Sequence, residues 1–181
     1  MIEIRLHGRG GQGGVTSAEL LAKAAIAEGK YAQAFPSFGP ERRGAPVMAF
    51  VRVDDEQIRL REKIYSPDIV LVLDPSLLDI VDVAEGLSEN GTVVVNSAMP
   101  PEELKEKYGF PKVATVDANK VAMEELGVPI TNTTMLGALL KASGIIGVQE
   151  MEEPIGERFG GKLGPKNFKA LERAYGETMV A

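Results

Sequence analysis

Apolar residues along the chain repeat with two periods, one typical of β-strands and one typical of α-helices. Short, mostly apolar runs at 2–6, 47–53 and 68–73 predict buried strands, and residues 15–28 and 118–126 have helical spacing. Further strands are predicted at 30–35, 92–96 and 112–116, and further helices at 102–108, 135–142 and 166–175. Residues 132–134 are predicted to cap the helix at 135–142. The alternation predicts a doubly wound α/β fold with a mainly parallel, Rossmann-like sheet.

Two local patterns add detail to this prediction. After Asp74 and Pro75 the apolar residues predict a capped helix with an inward face of Leu77, Ile80, Val81, Ala84 and Leu87. Strand 47–53 is followed by an acidic turn and by 57–60, so a β-hairpin insertion is expected near 47–60. With 181 residues and no linker or repeat, the chain is expected to form one domain over 1–181.

A glycine-rich turn stands between the first predicted strand and the first predicted helix. Gly8, Gly10 and Gly13 have the spacing G-x-G-x-x-G. Glycines allow a sharp turn and close approach of a ligand, and the N–H groups of the following helix attract anions. We therefore expect a phosphate-binding turn made by Gly8, Gly10, Gly11, Gln12 and Gly13. The alternative is a tight turn that lets helix and sheet pack closely and binds nothing.

Residues 35–46 form a long stretch of Pro, Gly, aromatic and basic residues without periodicity. Connections of this length in a compact domain are more often functional than not. Arg42 and Arg43 can bind a phosphate or carboxylate bidentately, and the phenylalanines can stack on a base or a partner. Alternatively, the arginines are solvated or paired with Glu41 or Asp54, and the phenylalanines belong to the core.

Composition excludes several classes of function. The net charge of −6, without runs of Lys or Arg, gives no electrostatic basis for binding nucleic acid or anionic membranes. The absence of cysteine excludes disulfides and iron–sulfur clusters held by this chain alone. The single histidine, His7, has no evident nucleophile beside it. Without a leader or a long apolar run, the protein is expected to be cytoplasmic and free of the membrane.

Two long motifs resemble those of the gamma subunit of 2-oxoacid:ferredoxin oxidoreductases. They are GRGGQG at 8–13 and FGPERRGAPV at 38–47. The resemblance continues through 67–74, 96–97 and 132–138 and covers nearly the whole chain. The form RRGAPV is more similar to the pyruvate and 2-oxoisovalerate branch than to the 2-oxoglutarate branch.

The resemblance implies a multisubunit enzyme that decarboxylates a 2-oxoacid, with pyruvate as the expected substrate. It passes electrons to ferredoxin and the acyl group to coenzyme A. Thiamine diphosphate, Mg and iron–sulfur clusters are then expected in alpha, beta and delta-type partner subunits and not in this chain. Exposed apolar surface for those partners is expected, through which the isolated chain can form a homo-oligomer.

Coenzyme A carries a pyrophosphate and a 3′-phosphate. The glycine turn, with Gln12, Arg42 and Arg43, is therefore expected to contact the coenzyme or the subunit interface. No catalytic residue and no metal ligand is expected in this chain.

Two other functions stay open from the residues. A nicotinamide-binding fold places an Asp or Glu on the ribose about 20 residues past the glycines, and this chain has none there. Arg42 or Arg43 on a 2′-phosphate would instead suit an NADP-dependent reductase. A third interpretation is a non-catalytic scaffold subunit whose glycine turn only packs.

Overall fold

A computed structural model describes residues 1–37 and 43–181. Within these residues one seven-stranded sheet has the order β2-β3-β1-β4-β5-β6-β7. The strands are β1 (Ile2–Arg9), β2 (Tyr31–Pro36), β3 (Pro46–Asp54), β4 (Ile69–Val72), β5 (Thr92–Asn96), β6 (Lys112–Val116) and β7 (Met179–Val180). The neighbours β1, β4, β5 and β6 pair in parallel, and β2, β3 and β7 add antiparallel pairs at the two edges. The predicted α/β architecture is confirmed.

Helices cover both faces of the sheet. They are α1 (Gly14–Ala27), α2 (Pro101–Tyr108), α3 (Ala118–Leu126), α4 (Asn132–Ser143), α5 (Glu152–Phe159) and α6 (Leu163–Glu177). The larger core joins α1, α4 and α6 to one face, and the smaller core joins α2 and the segment 75–91 to the other. In the described ranges, no helix combines the length and the apolar character needed to cross a membrane.

The hairpin insertion is built differently from the prediction. β3 pairs antiparallel with both β1 and β2, so the hairpin partner precedes β3 in the chain. Residues 57–60, predicted as the returning strand, lie outside the strands. This segment instead provides backbone acceptors for polar side chains of the sheet. The carbonyl of Leu60 accepts a hydrogen bond from Gln33 Nε2 at 2.8 Å. The carbonyl of Lys63 likewise accepts from Arg52 Nη2 at 3.3 Å.

The helix predicted after Asp74 is wrong beyond its first turn. Pro75–Asp79 forms a short 3₁₀-helix, and residues 80–91 follow largely as turns. Of the predicted inward face, Leu77 is buried, but Ile80 is 61% exposed.

Arg5 explains this interruption. Its Nη2 donates to the carbonyls of Val83 at 2.9 Å and Glu85 at 2.6 Å, which a continuous helix would use for its own backbone bonds. Its Nε donates to His7 Nε2 at 3.0 Å. Burial, and secondarily the charge of Arg5, lower the pKa of His7 to about 3, so His7 is neutral at pH 7.

Besides Arg5 in β1, the sheet contains a second buried arginine, Arg52 in β3, with 1% of its surface exposed. Its Nε pairs with Glu3 at 2.8 Å, its Nη1 donates to Gln33 Oε1 at 2.9 Å, and its guanidinium lies 5.6 Å from the centre of the Phe35 ring. The buried charge is therefore paired and hydrogen-bonded, as burial requires.

Candidate functional site

The carboxyl ends of β1 and β4 border a crevice where the chain connections diverge. From β1 the chain crosses the face with α1 to reach β2, and from β4 it crosses the opposite face to reach β5. Open α/β sheets bind ligands at such a switch point, because the two connections leave the strand ends uncovered. The glycine turn follows β1 and Asp74 follows β4, so both predicted features meet at this crevice.

At the first glycines the backbone passes close to the side chain of Gln12. Gly8 lies in β1, where a β-carbon would stand 3.3 Å from Gln12 Oε1. Gly10 follows the strand, and Gly11 has a φ of 93°. The turn is closed by the N–H of Gln12, which donates to the carbonyl of Arg9 at 3.0 Å.

Gly13 joins the turn to α1. Its φ of 80° is left-handed, and a β-carbon there would stand 2.6 Å from Asn132 Nδ2. Both facts require glycine. The first helical N–H bonded to a carbonyl is that of Ser17, to Gly13 at 3.0 Å. The N–H groups of Gly14–Thr16 are therefore left at the helix N-terminus, where anions are favoured.

Arg9 and Gln12 are held by Asp74. Asp74 Oδ2 accepts from Arg9 Nε at 3.1 Å and from Gln12 Nε2 at 3.0 Å, and Gln12 Oε1 accepts from the N–H of Arg9 at 2.7 Å. Asp74 Oδ1 accepts from Ser76 Oγ at 2.7 Å, and Arg9 Nη2 also donates to Ser76 Oγ at 2.8 Å. The network ties the end of β1 to the end of β4, and Arg9, Asp74 and Ser76 are not among the site residues predicted from the sequence.

The pKa of Asp74 lies below its ordinary value. Burial alone would raise it, but the hydrogen bonds from Ser76 and Gln12 and the charge of Arg9 together outweigh burial. Asp74 is therefore an anion at neutral pH, and it neutralises Arg9 within the crevice.

The segment that follows the arginine pair lies directly against the glycine turn. The N–H of Gly10 donates to the carbonyl of Ala45 at 2.8 Å, and the N–H of Gly44 donates to the carbonyl of Gly10 at 3.0 Å. Arg43 forms a bridge to Gly10 and is exposed. Arg42 lies outside the described residues.

Other predictions for this loop have different outcomes. The Phe35 ring is half-buried and packs on Phe50 at 5.1 Å between centroids. Asp54, considered as an arginine partner, lies 3.7 Å from the N-terminal amino group. Phe38 and Glu41 lie outside the described residues.

The N-terminus of α4 is the second helix end beside Gly13. Asn132 Nδ2 lies 3.5 Å from the carbonyl oxygen of Gly13, and Ser17 Oγ donates to the carbonyl of Asn132 at 2.9 Å. Thr131 precedes the helix without a side-chain cap, although the sequence had predicted that residues 132–134 cap this helix. Thr133 and Thr134 are fully buried.

Asn96, at the end of β5, has a structural role. Its Nδ2 donates to the carbonyl of Leu73 and to Asn119 Oδ1, both at 3.1 Å, and its Oδ1 accepts from the N–H of Ala118 at 3.0 Å. Both amide atoms of Asn96, Nδ2 and Oδ1, are therefore already hydrogen-bonded within the chain.

The sheet order bears on nicotinamide binding. In a dinucleotide fold the ribose acid stands at the end of the strand next to β1. Here β3 separates β2 from β1, so β2 lies roughly 10 Å from β1, two strand spacings instead of one.

The sequence of this chain matches a known family over nearly all its length. The model of the pyruvate ferredoxin/flavodoxin oxidoreductase family matches residues 3–177. The chain belongs to this family. It is 58% identical to the pyruvate/ketoisovalerate oxidoreductases common subunit gamma of Thermococcus litoralis, over 99% of this chain and 98% of the relative. It is 53% identical to the pyruvate synthase subunit PorC of Methanocaldococcus jannaschii, over 99% and 98% of the two chains.

The fold recurs in a solved structure. The crystal structure of pyruvate oxidoreductase subunit PORC from Thermotoga maritima matches with a TM-score of 0.88 and 40% identity, over 99% of this chain and 98% of that one. The resemblance stated from the motifs is thus confirmed. This chain is a subunit of a 2-oxoacid:ferredoxin oxidoreductase, and other subunits of that complex are its partners.

Proposed function

We propose that this chain is the gamma subunit that helps bind coenzyme A during the oxidative decarboxylation of a 2-oxoacid to an acyl-coenzyme A. The observation that carries the proposal is the joining of the glycine turn to the segment after Arg43 at the switch-point crevice. The contacts join Gly10 to residues 43–45, more than 30 positions further along the chain, so the two motifs present one surface.

The charges of this surface suit a phosphate. The N-terminus of α1 has no acidic residue in its first turn, and Arg43 is exposed beside it. A guanidinium and helix N–H groups are complementary to phosphoryl oxygens. Arg9 contributes less charge because Asp74 pairs with it at 3.1 Å. We assign the ligand contact to the glycine turn and the arginine pair, and the positioning of both to Arg9, Gln12 and Asp74.

The substrate is proposed to be pyruvate or a related 2-oxoacid, chosen by other subunits. The Thermococcus litoralis relative is named as a subunit common to pyruvate and ketoisovalerate oxidoreductases. A subunit shared by two such enzymes does not itself decide between their substrates. Thiamine diphosphate, Mg and iron–sulfur clusters would belong to alpha, beta and delta-type partners, which would pass electrons to ferredoxin.

The assembled enzyme allows a direct test. Arg42→Ala and Arg43→Ala should each raise the KM for coenzyme A by about tenfold, since each removes a charge-assisted bond to phosphate. Arg43→Lys should recover only part of the loss, because lysine lacks the bidentate fork. Arg61→Ala, at an exposed arginine, is the matched control.

The alternatives give other results. An unchanged KM and unchanged native mass of the complex in both arginine variants would contradict the coenzyme assignment. Loss of assembly without loss of coenzyme affinity would favour the scaffold role. Tight binding of NADPH by the complex at this chain would favour the reductase, which the displaced β2 disfavours.

A further inference from the structure

The buried polar atoms that lack hydrogen-bond partners concentrate at one point of the described chain. Within residues 1–37 and 43–181, such side-chain atoms are Asn132 Oδ1, Thr133 Oγ1, Thr134 Oγ1 and Thr115 Oγ1. Three of these atoms belong to consecutive residues at the start of α4. Buried polar groups are nearly always satisfied, so a cluster of unsatisfied ones needs an explanation.

The same helix end also has unpaired backbone groups. The first N–H of α4 that bonds back is that of Met135, to the carbonyl of Thr131 at 2.9 Å. The N–H groups of Asn132, Thr133 and Thr134 precede it, and the described residues provide no side-chain cap for them. A buried helix end without partners is unusual, because each unpaired group costs free energy.

The position of this end relative to α1 indicates what satisfies it. Asn132 is 5% exposed and lies against Gly13, the residue that precedes α1. Its Nδ2 is 3.5 Å from the carbonyl oxygen of Gly13, the longest distance that a hydrogen bond allows, so the amide can turn towards a ligand. Neither α1 nor α4 has an acidic residue in its first turn. Two positive helix ends therefore converge on one place.

We propose that a phosphoryl group binds between the N-termini of α1 and α4, held by Asn132 and by the hydroxyls of Thr133 and Thr134. The N–H groups at both helix ends complete its hydrogen bonds. This inference rests on the proposed function, since it assigns the phosphoryl group to coenzyme A. It adds three residues to the site, and it makes α4 a binding element as well as a core helix.

The test uses the assembled oxidoreductase and equilibrium binding of coenzyme A. Asn132→Asp places a carboxylate beside the bound phosphate and should weaken binding by about tenfold or more. The same change favours both helix ends and should leave the Tm unchanged or higher. Asn90→Asp adds the same charge in an exposed turn before β5, at the amino ends of the parallel strands and so at the opposite end from the glycine turn, and should leave binding unchanged.

Thr134→Val is a second test of this inference, needed if the Asn132→Asp variant does not assemble. It removes one hydroxyl at nearly constant shape and should weaken binding several-fold while the Tm does not fall. Dephospho-coenzyme A identifies which phosphate is held. An equal loss with both coenzymes assigns the pyrophosphate, and a loss confined to coenzyme A assigns the 3′-phosphate.

Hydrogen exchange of the complex separates failure of this inference from failure of the proposed function. If coenzyme A protects residues 9–16 but Asn132→Asp and Thr134→Val bind it normally, the phosphate lies elsewhere on the turn and this inference is overturned. If coenzyme A protects neither 9–16 nor 131–135, the proposed function itself is wrong.

Discussion

Two groups of polar side chains, one along β1 and β3 and one at the start of α4, differ in how they are satisfied. The paired cluster, made of Glu3, Arg5, His7 and Arg52, lies under β1 and β3, and each member has a partner at 2.6–3.0 Å. The open cluster, made of residues 132–134, has three side-chain atoms with no partner in the described part of the chain. Satisfied burial indicates a structural role, whereas a cluster of unsatisfied buried groups requires an explanation, which here is the phosphoryl group that we propose.

The largest expected effect comes from breaking the paired cluster. Arg52→Ala should lower the free energy of unfolding by about 3 kcal/mol, because it removes the buried partner of Glu3 and Gln33. We propose that residues 1–181 form one domain, so chemical denaturation should show this loss on a single transition. Arg61→Ala is the exposed control, and a loss below about 1 kcal/mol for Arg52→Ala would contradict the structural assignment.

The second prediction concerns pH and His7. Its pKa is lowered to about 3 in the folded chain, so between that pH and 6.5 the unfolded chain binds more protons. Stability is complete above about pH 6.5 and falls as the pH falls, with a contribution of about 2 kcal/mol lost by pH 5. Unfolding measured from pH 7 to 4 gives this slope.

His7 is the only histidine, so substitution isolates its contribution. The free energy of unfolding of the wild type should fall with pH in this way, and that of His7→Gln should not. Glutamine is chosen because it can still accept the bond from Arg5. Identical pH dependence in the two proteins would show that folding leaves the pKa of His7 at its ordinary value and would contradict the burial described here.

The smallest expected effect has the opposite sign and concerns the open cluster. Thr133→Val should raise the free energy of unfolding by about 1 kcal/mol in the absence of ligand, because it removes a buried hydroxyl without a partner. Ser17→Ala removes a hydroxyl that is bonded to Asn132 at 2.9 Å, and it should lower stability by about 1 kcal/mol. Equal losses in both variants would remove the distinction between the clusters.

The sheet was largely predictable because its central strands are decided by local pattern. The apolar runs of β4 and β5 need no distant information, and the observed strands Ile69–Val72 and Thr92–Asn96 lie within one residue of the predicted ones. The segment after Asp74 was not predictable in this way. Its apolar spacing is helical, but Arg5, some 80 residues earlier, takes two of its carbonyls.

The site was predictable only in part for the same reason. Glycine spacing identified the turn, since positive φ at Gly11 and Gly13 is a local requirement. The contacts of Gln12 with Asp74, and of Gly13 with Asn132, join residues 62 and 119 positions apart. From the sequence alone, residues 132–134 are interpreted as a helix cap. The sequence signal for a binding role was the run of three polar side chains directly before an apolar helix.

The insertion of β3 between β1 and β2 also affects how the protein is made. β1 is synthesised before the other strands, and within the described residues its partners are β3 and β4, whose last residues are Asp54 and Val72. Such long-range pairing forms slowly because the intervening chain must first be ordered. The glycine turn is thus synthesised early but reaches its folded conformation late. Its partner on α4 follows more than a hundred residues behind, so a nascent chain lacks the proposed coenzyme site until most of the protein has folded.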